Sequence, residues 1–433
     1  MKFNFSLLLL AGYSAAAVIP LSDQPEPAAE AAVEKKDLLS LIAPLFHVSN
    51  PGKSRYIVVY KDDASEESKN ELSDWISQRI SAKRDGSIDS LNFFGFNSLS
   101  GYLGIFDDDI LGSIRNNTAV KYVEEDAKVS ALSLTRRSNS EWGFVRISHR
   151  KNAANGNYLH DDEGGKGVTA YVVDTGVKYD DSEFEGRASF GTSIALPNEK
   201  RDPLGHGTHV AGTIGSKSFG VAKKVNIVSV NVFDANDDAY VSDMLKGFDW
   251  VIKDHNKNKD KSGFKGSTLN MSIGGAKSSA WTDGINALLK AGIHAVVAAG
   301  NENTDACNYS PGLSDAIVVA GSDEDDNNYS SSNYGKCVDI IAPGVNIGSV
   351  GVKLSPYYMT GTSMASPHVC GTVSYLLSLY PGKGSEYSSS ASPSDIKKML
   401  INYGTRDKIS GFNSDTPNVL AYQGGMNPSS FWN

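Results

Sequence analysis

The sequence predicts an α/β protein in which a parallel sheet is flanked by helices, preceded by a small α+β domain. From residue 142 on, nearly continuous apolar segments alternate with amphipathic helical ones. Apolar segments of this kind are typical of parallel strands buried on both faces, and the alternation favours right-handed crossovers. Before that point, strand and helix patterns follow one another as β-α-β-β-α-β, which indicates a ferredoxin-like sandwich.

The elements follow from the spacing of apolar residues. In the small domain we expect strands at residues 56–60, 102–106 and 120–123 and helices at 64–80 and 110–116. In the large domain we expect strands at residues 167–173, 225–230, 294–298 and 316–320 and helices at 240–254, 281–291 and 363–380. A parallel sheet presents its functional groups at the carboxyl ends of its strands. The candidate residues all fall where a predicted strand ends or a predicted helix begins.

Composition excludes several classes of function. The 433 residues carry a formal net charge of −9, whereas a nucleic-acid binder needs a basic face. Residues 1–17 combine Lys2, an apolar run and three small residues at 15–17, which is typical of a secretory signal peptide. No later segment is apolar over the length that a bilayer requires. We therefore expect no nucleic-acid partner, no membrane partner and a monomer that enters the secretory pathway.

Three motifs follow one another in an informative order. Asp174 follows a predicted apolar strand, His206 stands between two glycines, and Ser363 stands in a Gly-Thr-Ser-Met-Ala sequence. Acid, base and then nucleophile is the order of one class of serine peptidases, and it differs from that of chymotrypsin. An α/β-hydrolase needs an acid and then a histidine after the serine, and the only later histidine is His368, too close to serve.

Each residue type suits a step of acyl transfer. Asp174 can orient an imidazole, and the glycines around His206 allow the close approach that a general base needs. Ser363 begins a predicted helix, whose free N–H groups favour a developing oxyanion. Asn301 ends a predicted buried strand, and its side-chain NH2 group can donate to the same oxyanion. The sequence thus predicts a serine endopeptidase working through an acyl-enzyme.

Simpler interpretations exist for each residue taken alone. Asp174 and Asn301 could be turn residues, and Ser363 could be only a helix cap. His209 is interpreted as a structural histidine, since a metal-dependent hydrolase using it with His206 would need a third ligand that the sequence does not offer. A catalytically silent binding module would keep the same motifs.

Three cysteines in an oxidising compartment suggest one bridge and one thiol. Cys307 and Cys337 are the favoured pair because both stand in polar, turn-rich sequence, whereas Cys370 stands in an apolar stretch typical of a buried thiol. A zinc site is disfavoured because no two cysteines are closely spaced.

These motifs, with the Phe-Gly-Val-Ala-Lys sequence at 219–223, resemble those of a subtilase of the proteinase K group. Residues 56–129 resemble the inhibitor-type propeptide of such enzymes, and the remainder resembles the catalytic domain. The resemblance implies a subtilisin-like fold, a triad of Asp174, His206 and Ser363, and Asn301 as oxyanion donor. It also implies two substrate-pocket walls, formed by Ser272, Ile273 and Gly274 and by Ala298, Ala299 and Gly300.

The resemblance further supports the Cys307–Cys337 bridge. It implies that no cofactor is required and that a weak structural calcium site would use Asp339. The sequence departs from the group at the substrate-binding edge, where Asp237 and Asp238 stand in place of a Gly-Ser-Gly-like stretch. Two added carboxylates would favour basic residues upstream of the cut.

The sequence as a whole indicates a zymogen. We expect a signal peptide at 1–17, a propeptide at 18–137 with an inhibitor-like domain at about 55–130, and a peptidase domain at 138–433. Maturation is expected near Arg136-Arg137, by autocatalysis or by a dibasic-cleaving enzyme. The propeptide would act as intramolecular inhibitor and folding aid.

Protein and peptide substrates are expected for the mature enzyme. The resemblance favours the vacuole, with an extracellular location as the alternative. Asn116, Asn308 and Asn328 are the expected glycosylation acceptors, whereas Asn270 stands beside the site and is expected to be buried.

Overall fold

The computed structural model describes residues 42–48, 51–82, 91–96, 99–131, 134–135, 142–153, 156–381 and 388–432. Within these, residues 43–432 belong to one compact unit. The expected signal peptide and the Arg136-Arg137 pair lie outside the described residues. In the part of the chain that the structure covers, every helix is too short or too polar to cross a lipid bilayer.

The small domain has the predicted β-α-β-β-α-β order. Its elements are β1 (Leu45–Phe46), β2 (Pro51–Tyr60), α1 (Glu66–Ala82), β3 (Asn92–Phe96), β4 (Leu99–Ile105), α2 (Asp108–Arg115), β5 (Val120–Ala131) and a short extension, β6 (Leu134–Thr135). The antiparallel strand order is β5-β2-β4-β3, and β1 pairs with β5 in parallel. This confirms the predicted small α+β domain.

Both faces of the small sheet are buried, because β2 is apolar on both sides. Val58 and Tyr60 belong to a core that includes residues of α1 and α2. Ile57 and Val59 point the other way, into a core shared with two helices of the large domain. The small domain therefore packs on the large one through a whole sheet face.

The large domain is built as the sequence predicts, with apolar strands alternating with longer helices. Its first half consists of α3 (Trp142–Ile147), β7 (Val168–Asp174), β8 (Ala188–Ser193), α4 (His206–Gly215), β9 (Asn226–Asn231), β10 (Ala239–Tyr240), α5 (Val241–Asn258), β11 (Gly266–Met271), β12 (Ile273–Ala276) and α6 (Ser279–Lys290). Its second half consists of β13 (Ile293–Ala298), β14 (Tyr309–Ser310), β15 (Ile317–Ser322), β16 (Ile340–Pro343), β17 (Ile347–Ser349), β18 (Tyr357–Thr360), α7 (Thr362–Ser378), α8 (Pro393–Tyr403), β19 (Thr405–Arg406) and β20 (Val419–Leu420). Single 3-10 turns lie at Ser182–Phe184, Ala306–Asn308 and Pro428–Trp432.

The main sheet has the order β8-β9-β7-β11-β13-β15-β16-β20-β19. The pairs from β8 to β20 are parallel, and β20 with β19 is antiparallel. Alternate residues of β7 enter different cores, which explains its continuous apolar run. Tyr171 and Val173 pack with α5 and α6, whereas Ala170 and Val172 pack with α4 and α7. The two helices that carry His206 and Ser363 therefore cover the same face.

Helix α7 is buried along its whole length, with Pro367 in its first turn. Cys370 lies in its middle as a free thiol, and burial raises its pKa to about 12. Cys307 and Cys337 form the predicted disulfide, with their Cα atoms 5.3 Å apart.

Candidate active site

Asp174 and His206 form a buried pair at the carboxyl edge of the main sheet. Asp174 is the last residue of β7, and His206 is the first residue of α4. Nδ1 of His206 lies 2.7 Å from Oδ1 of Asp174, which also accepts a hydrogen bond of 2.7 Å from the Thr175 N–H. The carboxylate therefore fixes the orientation of the imidazole, and no described residue hydrogen-bonds its Nε2 atom.

The surroundings of His206 favour its protonated form. Burial alone would lower the pKa, but the Asp174 carboxylate and its hydrogen bond, helped by Asp202 and Asp237, outweigh that effect and raise the pKa above 6.5. A base whose conjugate acid is stabilised in this way suits proton transfer from a nucleophile. Asp237 is one of the two carboxylates that distinguish the substrate-binding edge of this sequence, and its charge contributes to the raised pKa of the imidazole.

Asp202 is a buried carboxylate that the sequence did not single out. Its Oδ1 accepts hydrogen bonds from the Thr175 hydroxyl at 2.9 Å, the Leu204 N–H at 3.0 Å and the Gly205 N–H at 2.7 Å. Its Oδ2 accepts from the Thr208 N–H at 2.8 Å and hydroxyl at 2.7 Å. The carboxylate thus ties the start of α4 to the end of β7. An acidic residue four positions before His206 was the available signal.

Ser363 is the second residue of α7 and lies beside the Asp174–His206 pair. Its Oγ donates to the Ser272 carbonyl at 3.1 Å, and the Ser272 Oγ donates to the Ser363 carbonyl at 2.8 Å. Ser272 directly follows Met271, which pairs with Val173 across neighbouring strands, so Ser272 and Asp174 follow paired positions. This register brings the serine to the same sheet edge as the acid and the imidazole.

Asn301 is oriented by the first residue of α7. Its Oδ1 accepts 2.9 Å hydrogen bonds from both the N–H and the hydroxyl of Thr362, and that hydroxyl also accepts a 3.2 Å bond from the Gly300 N–H. Because the oxygen is held by Thr362, the amide nitrogen is the atom that donates elsewhere. The sequence predicted Asn301 near the helix start but missed Thr362, whose role depends on a contact across the sheet.

The predicted pocket walls follow neighbouring strands. Met271 pairs with Val297, so the residues that come after these two positions lie side by side at the carboxyl edge. Those residues are the predicted wall set, all buried: Ser272, Ile273, Gly274, Ala298, Ala299 and Gly300. The structure therefore brings together the ten residues predicted for the site.

A strand of the small domain runs along this site. Ser130 and Ala131 of β5 pair with Gly274 and Ile273 of β12, and Val129 pairs with Ala239 of β10. Beyond them, Leu134 and Thr135 pair with Thr360 and Met359 of β18, which directly precedes α7. Backbone pairing on both sides of Ser363 is the geometry of an extended peptide bound by β-augmentation.

Two buried carboxylates of β5 hold the small domain to the large one. Glu124 accepts from the Ser278 hydroxyl and from the N–H groups of Ser279 at 2.8 Å and Ala280 at 3.1 Å, at the start of α6. Asp126 accepts from the Ser242 N–H at 3.0 Å and hydroxyl at 2.6 Å, at the start of α5. Each carboxylate satisfies the free N–H groups and positive potential of a helix N-terminus.

His209 has a structural environment, as predicted. Its Nε2 lies 2.9 Å from the Ile347 carbonyl and 3.0 Å from the Tyr357 carbonyl, and burial lowers its pKa to about 3. The ring is therefore neutral and joins helix α4 to strands β17 and β18. No group of three potential ligand side chains that could hold a metal ion occurs among the described residues.

The chain matches two family models. The subtilase family model matches residues 165–417, and the peptidase inhibitor I9 model matches residues 55–132. Among characterised proteins, it is 47% identical to cerevisin of Saccharomyces cerevisiae over 82% of this chain, and the match spans 58% of the length of cerevisin. It is 42% identical to the subtilisin-like serine protease Pen ch 18 of Penicillium rubens, over 86% of this chain and 80% of that protein.

Solved structures give the same result for the fold. A cold-adapted subtilisin-like serine proteinase matches with 36% identity and a TM-score of 0.58, over 66% of this chain and 99% of its own. Fervidolysin from Fervidobacterium pennivorans matches with 20% identity and a TM-score of 0.66, over 88% of this chain and 62% of its own, and supports the fold alone. The chain therefore belongs to the subtilase family, and its subtilase domain is preceded by an inhibitor I9 domain.

Proposed function

We propose that the chain is a serine endopeptidase made as a zymogen, with Asp174, His206, Ser363 and Asn301 as its catalytic residues. The observation that carries this proposal is the buried Asp174–His206 pair, whose Nε2 atom has no hydrogen-bond partner among the described residues, beside a serine at a helix N-terminus. Family membership supports the reaction class, and the residue roles rest on the geometry.

The reaction follows from these positions. The Ser363 hydroxyl turns from the Ser272 carbonyl, gives its proton to Nε2 of His206 and attacks the substrate carbonyl carbon. Asp174 stabilises the imidazolium that forms, while the Ser363 N–H and the Asn301 amide donate to the oxyanion. His206 then protonates the leaving amine, the peptide C–N bond breaks, and an acyl-enzyme remains. Water then attacks the acyl carbon and gives a proton to His206. The ester bond to Ser363 breaks, and His206 returns the proton to the serine oxygen.

The small domain acts as the inhibitor in this proposal. Its strand pairs with both sides of the site, and Glu124 and Asp126 bind the N-termini of two helices of the catalytic domain. A buried sheet face and two buried carboxylates would also help the catalytic domain to fold around them. Removal of residues 18–137 as a propeptide, or of a slightly shorter segment, would open the site.

The position of the bond cut during maturation can be limited to a short segment. Ala131 pairs with a residue next to Ser272, and Leu134 pairs with a residue three positions before Ser363. We infer that autocatalysis cuts between Ala131 and Leu134, and that the Arg136-Arg137 pair is the cleavage site for a separate dibasic-cleaving enzyme. N-terminal sequencing of the wild-type and Ser363→Ala chains distinguishes the two routes: autocatalysis requires the serine, whereas a cut after Arg137 would persist without it.

The calcium expectation at Asp339 does not fit the contacts. The ammonium group of Lys397 lies 2.7 Å from the Asp339 carboxylate, which also accepts a 2.9 Å hydrogen bond from the Val318 N–H. A lysine already supplies the positive charge that a calcium ion would bring. We infer that catalysis requires no metal and that Asp339 is not a calcium ligand.

The cellular location, the glycosylation sites and the substrates are also part of the proposal. We propose synthesis into the secretory pathway, with the vacuole as destination and the extracellular space as the alternative. Asn116 and Asn308 are exposed, as glycosylation acceptors must be, Asn328 is partly buried, and Asn270 is fully buried. Protein and peptide substrates are proposed for the mature enzyme.

The proposed function is tested by peptide hydrolysis. The processed chain should cleave internally quenched peptides, with the activity abolished by a serine-directed reagent and unchanged by a chelator. Ser363→Ala is the matched control. Activity that is lost on chelation, or that survives in Ser363→Ala, would contradict the proposal.

A further inference from the structure

An apolar groove lies beside the site, on the side where the inhibitor strand leaves it. The groove has a volume of about 830 Å³, within the range of ligand pockets. Its lining is mostly apolar or aromatic and includes Leu204, Val352, Leu354, Pro356, Tyr357 and Tyr358. Among the described residues, the charged side chain of the lining is Lys353, and none of the lining residues carries a carboxylate.

Three large apolar side chains of this groove are exposed, whereas Tyr358 is buried. Leu354 is 61% exposed, Leu204 39% and Tyr357 38%. Exposed large apolar side chains that cluster in one concave surface usually mark a binding site. At the other end of the groove, Gly205 directly precedes His206. One lining residue of the groove is therefore the chain neighbour of the catalytic histidine.

The walls of the groove are held in place. The Tyr357 carbonyl is bound by His209, which lies on the same helix as His206. The opposite loop is closed by a 3.1 Å hydrogen bond from the Gly351 N–H to the Ser355 hydroxyl, and Lys178 binds the Val352 carbonyl at 3.3 Å. A groove with fixed walls can select side chains by fit rather than by rearrangement.

The register of the inhibitor strand shows the direction in which a bound peptide would enter the groove. Leu134 pairs with Thr360 and Thr135 with Met359 in antiparallel fashion, so a chain that continues in this direction next meets Tyr358 and then Tyr357. Both tyrosines line the groove. A substrate bound in the same direction would carry its residues downstream of the cut bond into this surface.

We propose that this groove is a specificity site for large apolar or aromatic side chains at the third to sixth residues downstream of the cut bond. The inference rests on the proposed peptidase function and adds a substrate class to it. Complementary contact between apolar surfaces supplies the selectivity, and the absence of a carboxylate from the lining gives no advantage to basic residues there. Leu354, the most exposed of the apolar lining residues, is the residue on which the selectivity depends most.

The test compares two internally quenched peptides that are identical except at those positions, one with Phe and Leu and one with Ser and Gly. The full chain is expressed and allowed to mature, and mass spectrometry of the products confirms the same cut in both peptides. We expect kcat/KM to be roughly tenfold higher for the apolar peptide. In Leu354→Ser this ratio should fall below about threefold. Met426→Ser, which changes an apolar residue that is 84% exposed and does not line the groove, is the matched control.

A second variant makes the result two-sided. Leu354→Glu places a carboxylate in the groove and should turn the preference toward Arg at the same positions. A p-nitroanilide substrate, which has no residues downstream of the cut, should be hydrolysed equally by all variants. Equal ratios in wild type and Leu354→Ser, with normal anilide hydrolysis, would overturn the groove assignment alone. Failure of the wild type to cleave the anilide would overturn the proposed function and this inference with it.

Discussion

Two acid–base pairs, the buried Asp174–His206 and the partly buried Asp339–Lys397, have the same 2.7 Å separation and opposite consequences. Asp174 ends strand β7, whereas Asp339 directly precedes strand β16. The first pair therefore lies at the carboxyl ends of the parallel strands and the second at their amino ends. Lys397 also donates to the Ala316 carbonyl at 2.8 Å. The comparison teaches that the position of a pair along the strands is decisive. A pair at the carboxyl ends of the strands lies where functional groups gather, whereas a pair at their amino ends stabilises the fold.

The partner atom sharpens this difference. An imidazole bonded through Nδ1 retains a second nitrogen for proton transfer, whereas a lysine ammonium paired with a carboxylate has no basic atom left. Burial raises the pKa of Asp339, and the ammonium of Lys397 offsets part of that rise. The Asp339 pair is therefore a stabilising contact, and the Asp174 pair is the one proposed to react.

Removing the imidazole should have the largest effect. His206→Ala deletes the base, and we expect kcat to fall by roughly 10⁶-fold, a magnitude taken from subtilisin. The melting temperature should also fall, because the buried Asp174 carboxylate loses its imidazole partner and keeps the bond from Thr175. Initial rates on a quenched peptide and a thermal scan make the measurement. Retained activity would show that the pair is not part of the reaction.

Removing the oxyanion donor should have the next largest effect. Asn301→Ala should lower kcat by roughly 10²–10³-fold with KM nearly unchanged, since the amide donates to the transition state; this size is also taken from subtilisin. Steady-state kinetics on the same peptide separates the two parameters. A rise in KM at constant kcat would instead assign Asn301 to ground-state binding.

Breaking the second pair should affect stability and leave catalysis alone. Lys397→Met leaves a partly buried carboxylate without its ammonium partner and should cost about 1–2 kcal/mol of unfolding free energy at neutral pH. The double variant Asp339→Asn/Lys397→Met should recover most of that loss. Denaturant unfolding and kcat are the two readouts. If kcat of the folded variant fell with its stability, the contrast between the two pairs would not hold.

A third buried carboxylate extends the comparison to the inhibitor domain. Burial raises the pKa of Glu124 from 4.5 to about 7, despite its hydrogen bonds from the start of α6. A folded-state pKa above the unfolded value gives stability that is complete below pH 4.5 and is lost as the pH rises through 7. The full-length Ser363→Ala chain should therefore be more stable at pH 5 than at pH 8 by up to about 3 kcal/mol. Glu124→Gln should flatten this dependence, and an unchanged slope would contradict it.

The smallest effect is expected at Asp237. Its charge helps to raise the pKa of His206, so Asp237→Asn should lower that pKa. Since the neutral imidazole is the active base, the acidic limb of the kcat/KM profile should move to lower pH by less than about one unit. The φ of 63° at this position tolerates asparagine. The same variant should weaken any preference for basic residues upstream of the cut, and an unshifted profile would remove Asp237 from the site.

Local patterns predicted most of the fold and the reactive residues. Strand β7 is a nearly continuous apolar sequence that ends at Asp174, and the Gly-Thr-Ser sequence marks the start of helix α7, so both positions could be predicted from local sequence. Thr362 could not, because its hydrogen bonds with Gly300 and Asn301 join segments that only the folded sheet brings together. The same is true of Asp126, which binds Ser242 across 116 positions of sequence.

Short strands were also beyond prediction. Ala239–Tyr240 and Ile273–Ala276 are too short to show a period, and they exist because β5 of the small domain pairs with them. The apolar groove beside the site was missed for a related reason, since Leu204 and Leu354 are far apart in the sequence and are exposed rather than buried. Long-range pairing, rather than local propensity, determines these features.

The most direct test of the triad is labelling with a fluorophosphonate probe, which reacts only with an activated serine. The full chain is allowed to mature, and the labelled peptide is located by mass spectrometry. We predict label on Ser363 in the wild type and no label in His206→Ala. A mature chain that has lost its inhibitor domain and remains unlabelled, or that carries label on another serine, would contradict the assignment of Asp174, His206 and Ser363 as a working triad.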